Sequence, residues 1–461
     1  MDATLTPDPA QASANGVSAR AEQRSFLNWL GCWVVLPNLP FLPVTLMGGP
    51  PRMFDILLCG IVGLVARRMR FVVQLAIFLA LLTYLTLAFI ASMFNMAPSM
   101  LLSVIGLVFD LKPQNSPEYL AGTAFLVLVI AGAAWLLRRS STFSHPRWLL
   151  TAVALTGSLA AADYALSRSA FGSYTRYAAN GAPFTSATTQ TRLIERASSK
   201  TNVLIVVVEA MGQPTSPALQ AKLRSMWLRP ELAGRYEMSS GLTDYYGSTT
   251  SGELRELCQR WGDYREISTP QPDCLPSRLA RLGYQTSSIH AFEASFFDRP
   301  NWYPLVGIQR MSWGQDLMSQ GVAPCPTVFA GACDRDVPAL IGRQLKAAEQ
   351  PQFVYWLTLN SHLPVEESKQ LGTANCRQLG PELDADLPMV CRLFAIWGDT
   401  SAALTKLLSD PDLPPTDVLI VGDHMPPFTL QRARVQFAPD QVPWYYLRHK
   451  DGAAKDQSSP S

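Results

Sequence analysis

The spacing of apolar and polar positions changes character near residue 166. Before it, apolar residues come in long runs with few charges. Five of these, at 27–47, 53–66, 71–92, 118–137 and 148–166, have membrane-spanning character, and most approach the roughly 20 residues a bilayer-crossing helix needs. The second is short and borrows from its flanks. A further run at 96–109 is shorter and proline-led, the pattern of an interfacial or re-entrant segment. A buried core of a soluble protein is the competing explanation, and runs this long with so few charges argue against it. The pattern therefore predicts a cytoplasmic tail at 1–26, a five-helix transmembrane part at 27–166, a linker at 167–200, an exterior domain at 201–446 and a disordered tail at 447–461.

Beyond the linker the apolar runs shorten and alternate with helical stretches, which predicts an α/β domain with a mostly parallel central sheet. Four of these runs close on residues able to bind metal or phosphate. NVLIVVVEAMG (202–212) ends at Glu209, YQTSSIHAF (284–292) at His290, FVYWLTLNSHLP (353–364) at His362, and DVLIVGDHMPPF (417–428) at Asp423 and His424. Open α/β sheets bind ligands at the carboxyl ends of their strands. One such histidine alone is ordinarily a structural one; four strand ends of this kind point to a site.

Between the first two runs lies YYGSTTSGELRELCQRW (245–261). Its Thr250-Ser251-Gly252-Glu253 fits a capping box with Thr250 as N-cap. That leaves Thr249 just ahead of a helix, where free N–H groups and the helix dipole favour an anion. Glu209, Asp423 and His424 make a nitrogen/oxygen set suited to Zn²⁺ or Mn²⁺, with Thr249 completing four-coordination. A hydroxyl activated there is a nucleophile at neutral pH. His290, Arg299 and His362 are candidates to hold phosphate oxygens, and His362 to protonate a leaving alcohol. For Arg299 alone, a surface salt bridge is an equally good reading.

Charge and cysteines refine this picture. A formal net charge of +2 gives no case for nucleic acid binding. Arg20 and Arg24, then Arg67, Arg68 and Arg70, then Arg138, Arg139 and Arg147 fall in alternate loops, whereas the opposite loops carry only Arg52 and Lys112. Positive loops face the cytoplasm, so five spans put the N-terminus inside and the domain outside. The polar first 26 residues show no cleavage-like site, the pattern of an uncleaved anchor. Cys32 and Cys59 lie in membrane segments; the other six form close sequence pairs, predicting disulfides Cys258–Cys274, Cys325–Cys333 and Cys376–Cys391 in an oxidising compartment.

The set VVVEAMG, GSTTSGE, HAFEASFFDRPNWYP, LTLNSHLPV and VGDHMPPF resembles the alkaline-phosphatase/sulfatase-like superfamily, most of all its membrane phosphoethanolamine and phosphoglycerol transferases, which include the lipoteichoic acid synthases. The resemblance runs over residues 200–446 and implies a periplasmic, sulfatase-like catalytic domain anchored by a multi-pass segment in the bacterial inner membrane. It implies Glu209, Asp423 and His424 as metal ligands, Thr249 at the G-x-T nucleophile position, and Phe297, Arg299 and His362 as substrate contacts. It further implies transfer of a phosphoethanolamine or phosphoglycerol headgroup from a phospholipid donor, through a phospho-threonine, to a glycan or glycolipid acceptor.

Three features of the chain bear on that implication. The lipid A-modifying members carry a further histidine past the D-H pair, where this chain reads QRARVQFAPDQ, so a different surface glycan or polysaccharide is the expected acceptor. A GTxT loop favours Thr250 as nucleophile and the G-x-T-x-x-x-E pattern favours Thr249, which is preferred because Thr250 has capping work. CLPSR (274–278) fits the C-x-P-x-R motif whose cysteine becomes the nucleophile of sulfatases. The even cysteine count instead makes Cys274 a disulfide anchor at the start of an amphipathic helix. A sulfatase or phosphatase hydrolase and a non-catalytic scaffold for polysaccharide export are the competing functions.

Overall fold

The computed structural model describes residues 9–93, 117–170, 174, 176–179, 181–197, 201–325, 327–376, 380, 383 and 386–450. The run at 96–109 lies outside the described residues, as does the tail from 451. The described residues form two compact units, an N-terminal one of residues 9–90 and 117–170 and a C-terminal one from residue 174, to which 91–93 also belong.

In the N-terminal unit, four helical segments are long and apolar enough to cross a membrane: Ala19–Leu46, Phe71–Met93, Tyr119–Leu137 and Pro146–Leu166. The expected fifth, Met53–Ala66, is helical but has only 14 residues. At 1.5 Å per residue it measures ~21 Å against the ~30 Å of a hydrocarbon core. The count of full-length spans among the described residues is therefore four rather than five. The short helix nevertheless runs between the same two ends as the last long one. Beside its start, Arg52 N donates to Asp163 Oδ2 at 2.7 Å; at its end, Thr142 Oγ1 donates to Arg67 O at 3.4 Å. Gly63 allows the close fit, since a Cβ there would stand 2.4 Å from Trp33 Cβ.

The first span is not a uniform helix. Its α-helix begins at Pro9, inside the segment expected as a polar tail, and gives way to a π turn over Leu30–Val35. Short α and 3-10 pieces then continue to Leu46. Pro37, Pro40 and Pro43 each lack the N–H an α-helix needs, so the backbone repeatedly changes its hydrogen-bond spacing. The basic loops share one end of this unit: Arg68 donates to Ser144 Oγ, Asn28 to Ser140 O, and Ser144 N to Glu22.

The C-terminal unit is built on a seven-stranded sheet: β1 (Asn202–Val208), β2 (Tyr236–Asp244), β3 (Gln285–His290), β4 (Arg310–Ser312), β7 (Gln352–Leu357), β8 (Thr416–Gly422) and β9 (Gln441–His449). Its order is β2-β9-β8-β1-β7-β3-β4. The strands from β8 to β4 are parallel, and β9 runs antiparallel to both β8 and β2. A separate hairpin pairs β5 (Pro324–Cys325) with β6 (Gly331–Ala332). Every residue of β1, β7 and β8 is buried, as expected of β-branched and aromatic runs covered on both faces. Helices Pro217–Trp227, Val337–Lys346 and Pro388–Leu408 each carry proline at the first or second position, where its missing N–H costs nothing.

Two expected boundaries shift. Part of the 167–200 linker belongs to the domain, because Ala187 and Thr188 are buried and donate their N–H groups to Glu256 at 3.3 and 2.9 Å. The last strand runs to His449, past the expected end at 446, with His449 N donating to Asp417 at 2.8 Å.

All three expected disulfides form. Cys258–Cys274 ties the end of helix Thr249–Cys258 to the start of helix Leu275–Arg281. Its sequence separation of 16 corresponds to a stabilisation of about 3 kcal/mol through the unfolded chain. The variant Cys258→Ser/Cys274→Ser is accordingly expected to lose about that much in denaturant titration. An unchanged midpoint would show that the bond does not constrain the domain.

Candidate active site

Glu209 follows β1, and Asp423 and His424 follow the neighbouring parallel strand β8, so two adjacent strand ends deliver three ligands to one point. One ligand atom from each lies within 4.8 Å of the others, and all three residues are buried. Thr249 joins them from its helix. Its Oγ1 donates to Glu209 Oε2 at 3.2 Å and lies 3.3 Å from His424 Nε2. Gly252, one turn further along that helix, rests on Asp423: a Cβ there would meet the Asp423 Cβ at 3.1 Å. The absence of a side chain at 252 is what lets this helix approach.

The electrostatics of this point call for a cation. Burial, then the neighbouring Asp423, push the Glu209 carboxyl well above its usual range. Asp423 Oδ1 is satisfied by the N–H groups of Ala210 (2.8 Å) and His424 (2.7 Å), but Asp423 Oδ2 is buried with no hydrogen-bond partner among the described residues, His424 Nε2 standing 3.4 Å away. A buried carboxylate oxygen left so is costly unless something positive meets it. Two carboxylates, an imidazole and a hydroxyl suit a divalent cation such as Zn²⁺ or Mn²⁺.

The helix start differs from the capping box expected. The helix spans Thr249–Cys258 with Ser248 as N-cap, so Thr249 is its first residue rather than the one before it. Thr250 caps nothing; its hydroxyl lies 3.2 Å from Ser248 Oγ. Glu253 turns away from the helix start altogether. Its carboxylate takes Arg299 at 3.0 Å, with Arg299 1% and Glu253 0% exposed, and also accepts from Tyr303 and Tyr355. Buried ionic partners outcompete a capping bond because neither charge has water to fall back on. Arg299, expected on a phosphate, is thus committed to Glu253.

The remaining expected residues stand around this centre. His290 ends β3, two strands from β1 and so ~10 Å away at sheet spacing. Its Nδ1 meets Leu357 O at 3.1 Å, its Nε2 is buried without a hydrogen-bond partner among the described residues, and burial followed by the Arg299 charge lowers its pKa well below the usual value. His362 follows β7 and lies against Phe329, ring centroids 3.8 Å apart. Burial lowers its pKa to about 3. It is neutral at ordinary pH, and with Nδ1 bonded to Leu363 O (2.9 Å) its Nε2 is an acceptor, not the proton donor expected. Phe297 sits at φ 56°, packed edge-on to Tyr264 with centroids 6.1 Å apart.

Sequence reasoning missed Arg255 and Glu256. Both are wholly buried and paired at 2.6 Å. Arg255 also donates to Gly422 O (2.6 Å) and Asp423 O (3.2 Å), fixing the turn that presents the ligands. Nothing in ELREL reveals this, because alternating charges on a helix ordinarily mean a solvated face. Cys274 is 3% exposed and disulfide-bonded, so CLPSR supplies no nucleophile.

Among solved structures, the chain is similar to the lipoteichoic acid synthase LtaP from Listeria monocytogenes (16% identity, 57% of this chain and 71% of that one, TM-score 0.40). It is also similar to the Streptococcus pyogenes phosphoglycerol transferase GacH in complex with sn-glycerol-1-phosphate (14%, 56% and 73%, 0.39). A third is the C-terminal periplasmic domain of EcEptC from Escherichia coli (13%, 57% and 77%, 0.37). A search of curated proteins found no match. The sulfatase family profile matches residues 201–443, more than half of the chain and the whole of the ligand-bearing sheet up to β9. The chain therefore belongs to the sulfatase family.

Proposed function

We propose that the protein transfers a phosphoethanolamine headgroup from a phospholipid to a cell-surface glycan or glycolipid through a phospho-threonine at Thr249. The observation that carries this is the hydroxyl of Thr249, held at a helix N-terminus 3.2 Å from Glu209 and 3.3 Å from His424. Phosphoglycerol transfer uses the same steps, and the choice of donor separates the two. A formylglycine hydrolase loses its nucleophile to the Cys258–Cys274 bond.

In the first half-reaction the Thr249 Oγ–P bond forms and the P–O bond to diacylglycerol breaks, its electron pair leaving on the glycerol oxygen. The proton that Thr249 releases balances the one this oxygen takes up. In the second, an acceptor hydroxyl attacks phosphorus, the P–Oγ bond breaks, and the acceptor's proton returns to Oγ. Neutral His362 is suited to accept a hydrogen bond from an attacking hydroxyl. Glu209, Asp423 and His424, with Thr249, would hold a divalent cation, which lowers the pKa of a bound hydroxyl and neutralises phosphate charge. The disulfides and the arginines gathered at one end of the N-terminal unit support a multi-pass inner-membrane protein with its catalytic domain in the periplasm.

Incubation with headgroup-labelled phosphatidylethanolamine and, in parallel, phosphatidylglycerol is expected to release diacylglycerol and label the protein with one of them. Absence of an adduct with either donor overturns the reading. Exhaustive chelation should abolish labelling, with Zn²⁺ or Mn²⁺ restoring it; full labelling after verified metal removal would show that the carboxylate pair serves no cation.

A further inference from the structure

A cavity of about 830 Å³ opens beside the first turn of helix Thr249–Cys258. Ser248 and Thr250, the immediate neighbours of Thr249 on either side, both belong to its wall. Its volume falls within the ~300–1,000 Å³ of small-molecule sites. None of the motifs discussed above assigns it a use.

Its lining combines two kinds of surface. One is aromatic: Tyr177, Phe184, Tyr246 and Trp261. These rings hold one another in place, with Trp261 5.0 Å from Phe184 and 4.8 Å from Tyr246 between centroids, and Trp261 Nε1 donating to Pro183 O at 3.1 Å. The other is charged but balanced, with Arg260 and Arg265 against Asp263 and Glu266. Arg265 is closed on Asp263 at 2.7 Å. Arg260 is not closed on anything: its Nε and Nη2 are buried with no hydrogen-bond partner among the described residues. Buried donors are normally paired, so the Arg260 guanidinium is committed to no group of the protein among the described residues.

This combination discriminates among occupants. A site for phosphate would carry excess positive charge, and one for an acyl chain would be lined without charges. A sugar ring satisfies both surfaces. Its C–H face packs on aromatic rings, its hydroxyls donate to carboxylates, and its oxygens accept from a guanidinium. We propose that this cavity is the acceptor subsite and binds a pyranose glycan at the helix start that carries Thr249. The assignment rests on the headgroup-transfer reading above and names its acceptor class and the residues that recognise it.

The test uses the full chain in detergent micelles with cellobiose and, separately, N,N′-diacetylchitobiose as probes. Saturation-transfer NMR is expected to show signal on ring C–H protons, lost in Trp261→Ala and in Arg260→Ala. The second variant matters because it breaks no protein hydrogen bond at Nε or Nη2, so its fold is secure if Trp261→Ala melts early. In transfer assays the acceptor KM should rise about tenfold in either variant with a smaller change in kcat, the mark of lost binding. No saturation transfer in wild type, or equal signal and equal KM in both variants, overturns the sugar site. Displacement of the disaccharide by millimolar inorganic phosphate at constant ionic strength overturns it in favour of an anion site. Labelling of wild type by phospholipid, run alongside, separates the two levels. Sugar binding without any Thr249 adduct overturns the acceptor role and the transfer reading together, whereas an adduct without sugar binding overturns only the cavity assignment.

Discussion

Replacing Thr249 by alanine is expected to abolish the labelled adduct and to lower headgroup transfer by roughly 10⁴-fold or more, the scale at which loss of a covalent nucleophile acts. Thr250→Ala should keep the adduct and most of the rate. The contrast follows from where the two hydroxyls point. Thr249 Oγ1 faces Glu209 and His424, whereas the Thr250 hydroxyl lies against Ser248 Oγ. Mass spectrometry of the labelled tryptic peptide decides it: label on residue 250, or label surviving Thr249→Ala, reverses the assignment. Neither threonine caps the helix, so neither substitution removes a capping bond, and both variants should melt close to wild type.

Arg299→Met is expected to cost about 3–5 kcal/mol of stability, because it strands a buried carboxylate. Glu253 is 0% exposed, and among the described residues only the hydroxyls of Tyr303 and Tyr355 reach it besides Arg299. The loss should appear as a lower thermal midpoint and a lower denaturant midpoint in the C-terminal unit. The double variant Glu253→Gln/Arg299→Met should recover much of it, since removing both charges restores balance. A phosphate-binding role makes the opposite prediction, an unchanged midpoint with a raised donor KM. That outcome would return Arg299 to the substrate and leave the ion pair as a resting arrangement.

The comparison of Glu253 with Glu209 shows how legible such residues are. Glu209 was readable because it closes an unbroken apolar run, and a strand buried on both faces ends at the sheet's carboxyl edge. Asp423 and His424 were readable for the same reason. Glu253, Arg255 and Glu256 sit in a helix whose sequence looks half-solvated, yet all three are 0% exposed. Their partners come from Arg299, from the carbonyls of Gly422 and Asp423, and from the N–H groups of Ala187 and Thr188. A local pattern cannot name partners so far along the chain, which is also why a capping box was expected where none forms. The segment holding Ala187 lacks periodicity, the pattern of a linker, and it is ordered instead by bonds to a buried carboxylate.

What the sequence determined by itself is what depends on near neighbours. The apolar runs set the long helices, the buried strands follow from β-branched runs, and the three disulfides join cysteines 16, 8 and 15 positions apart. Local properties also placed the chemically capable residues at strand ends. Tertiary structure alone decided which of them meet. Thr249 reaches Glu209 across 40 positions and His424 across 175, and both contacts exist because β1 and β8 are adjacent in the sheet. The same folding withdrew Arg299 into an ion pair, made His362 a neutral acceptor, and shortened the second membrane helix to a piece that relies on its neighbours. Such outcomes turn on burial and on competition among distant partners, and the free energy of a buried charge is set by whichever partner the fold brings within reach.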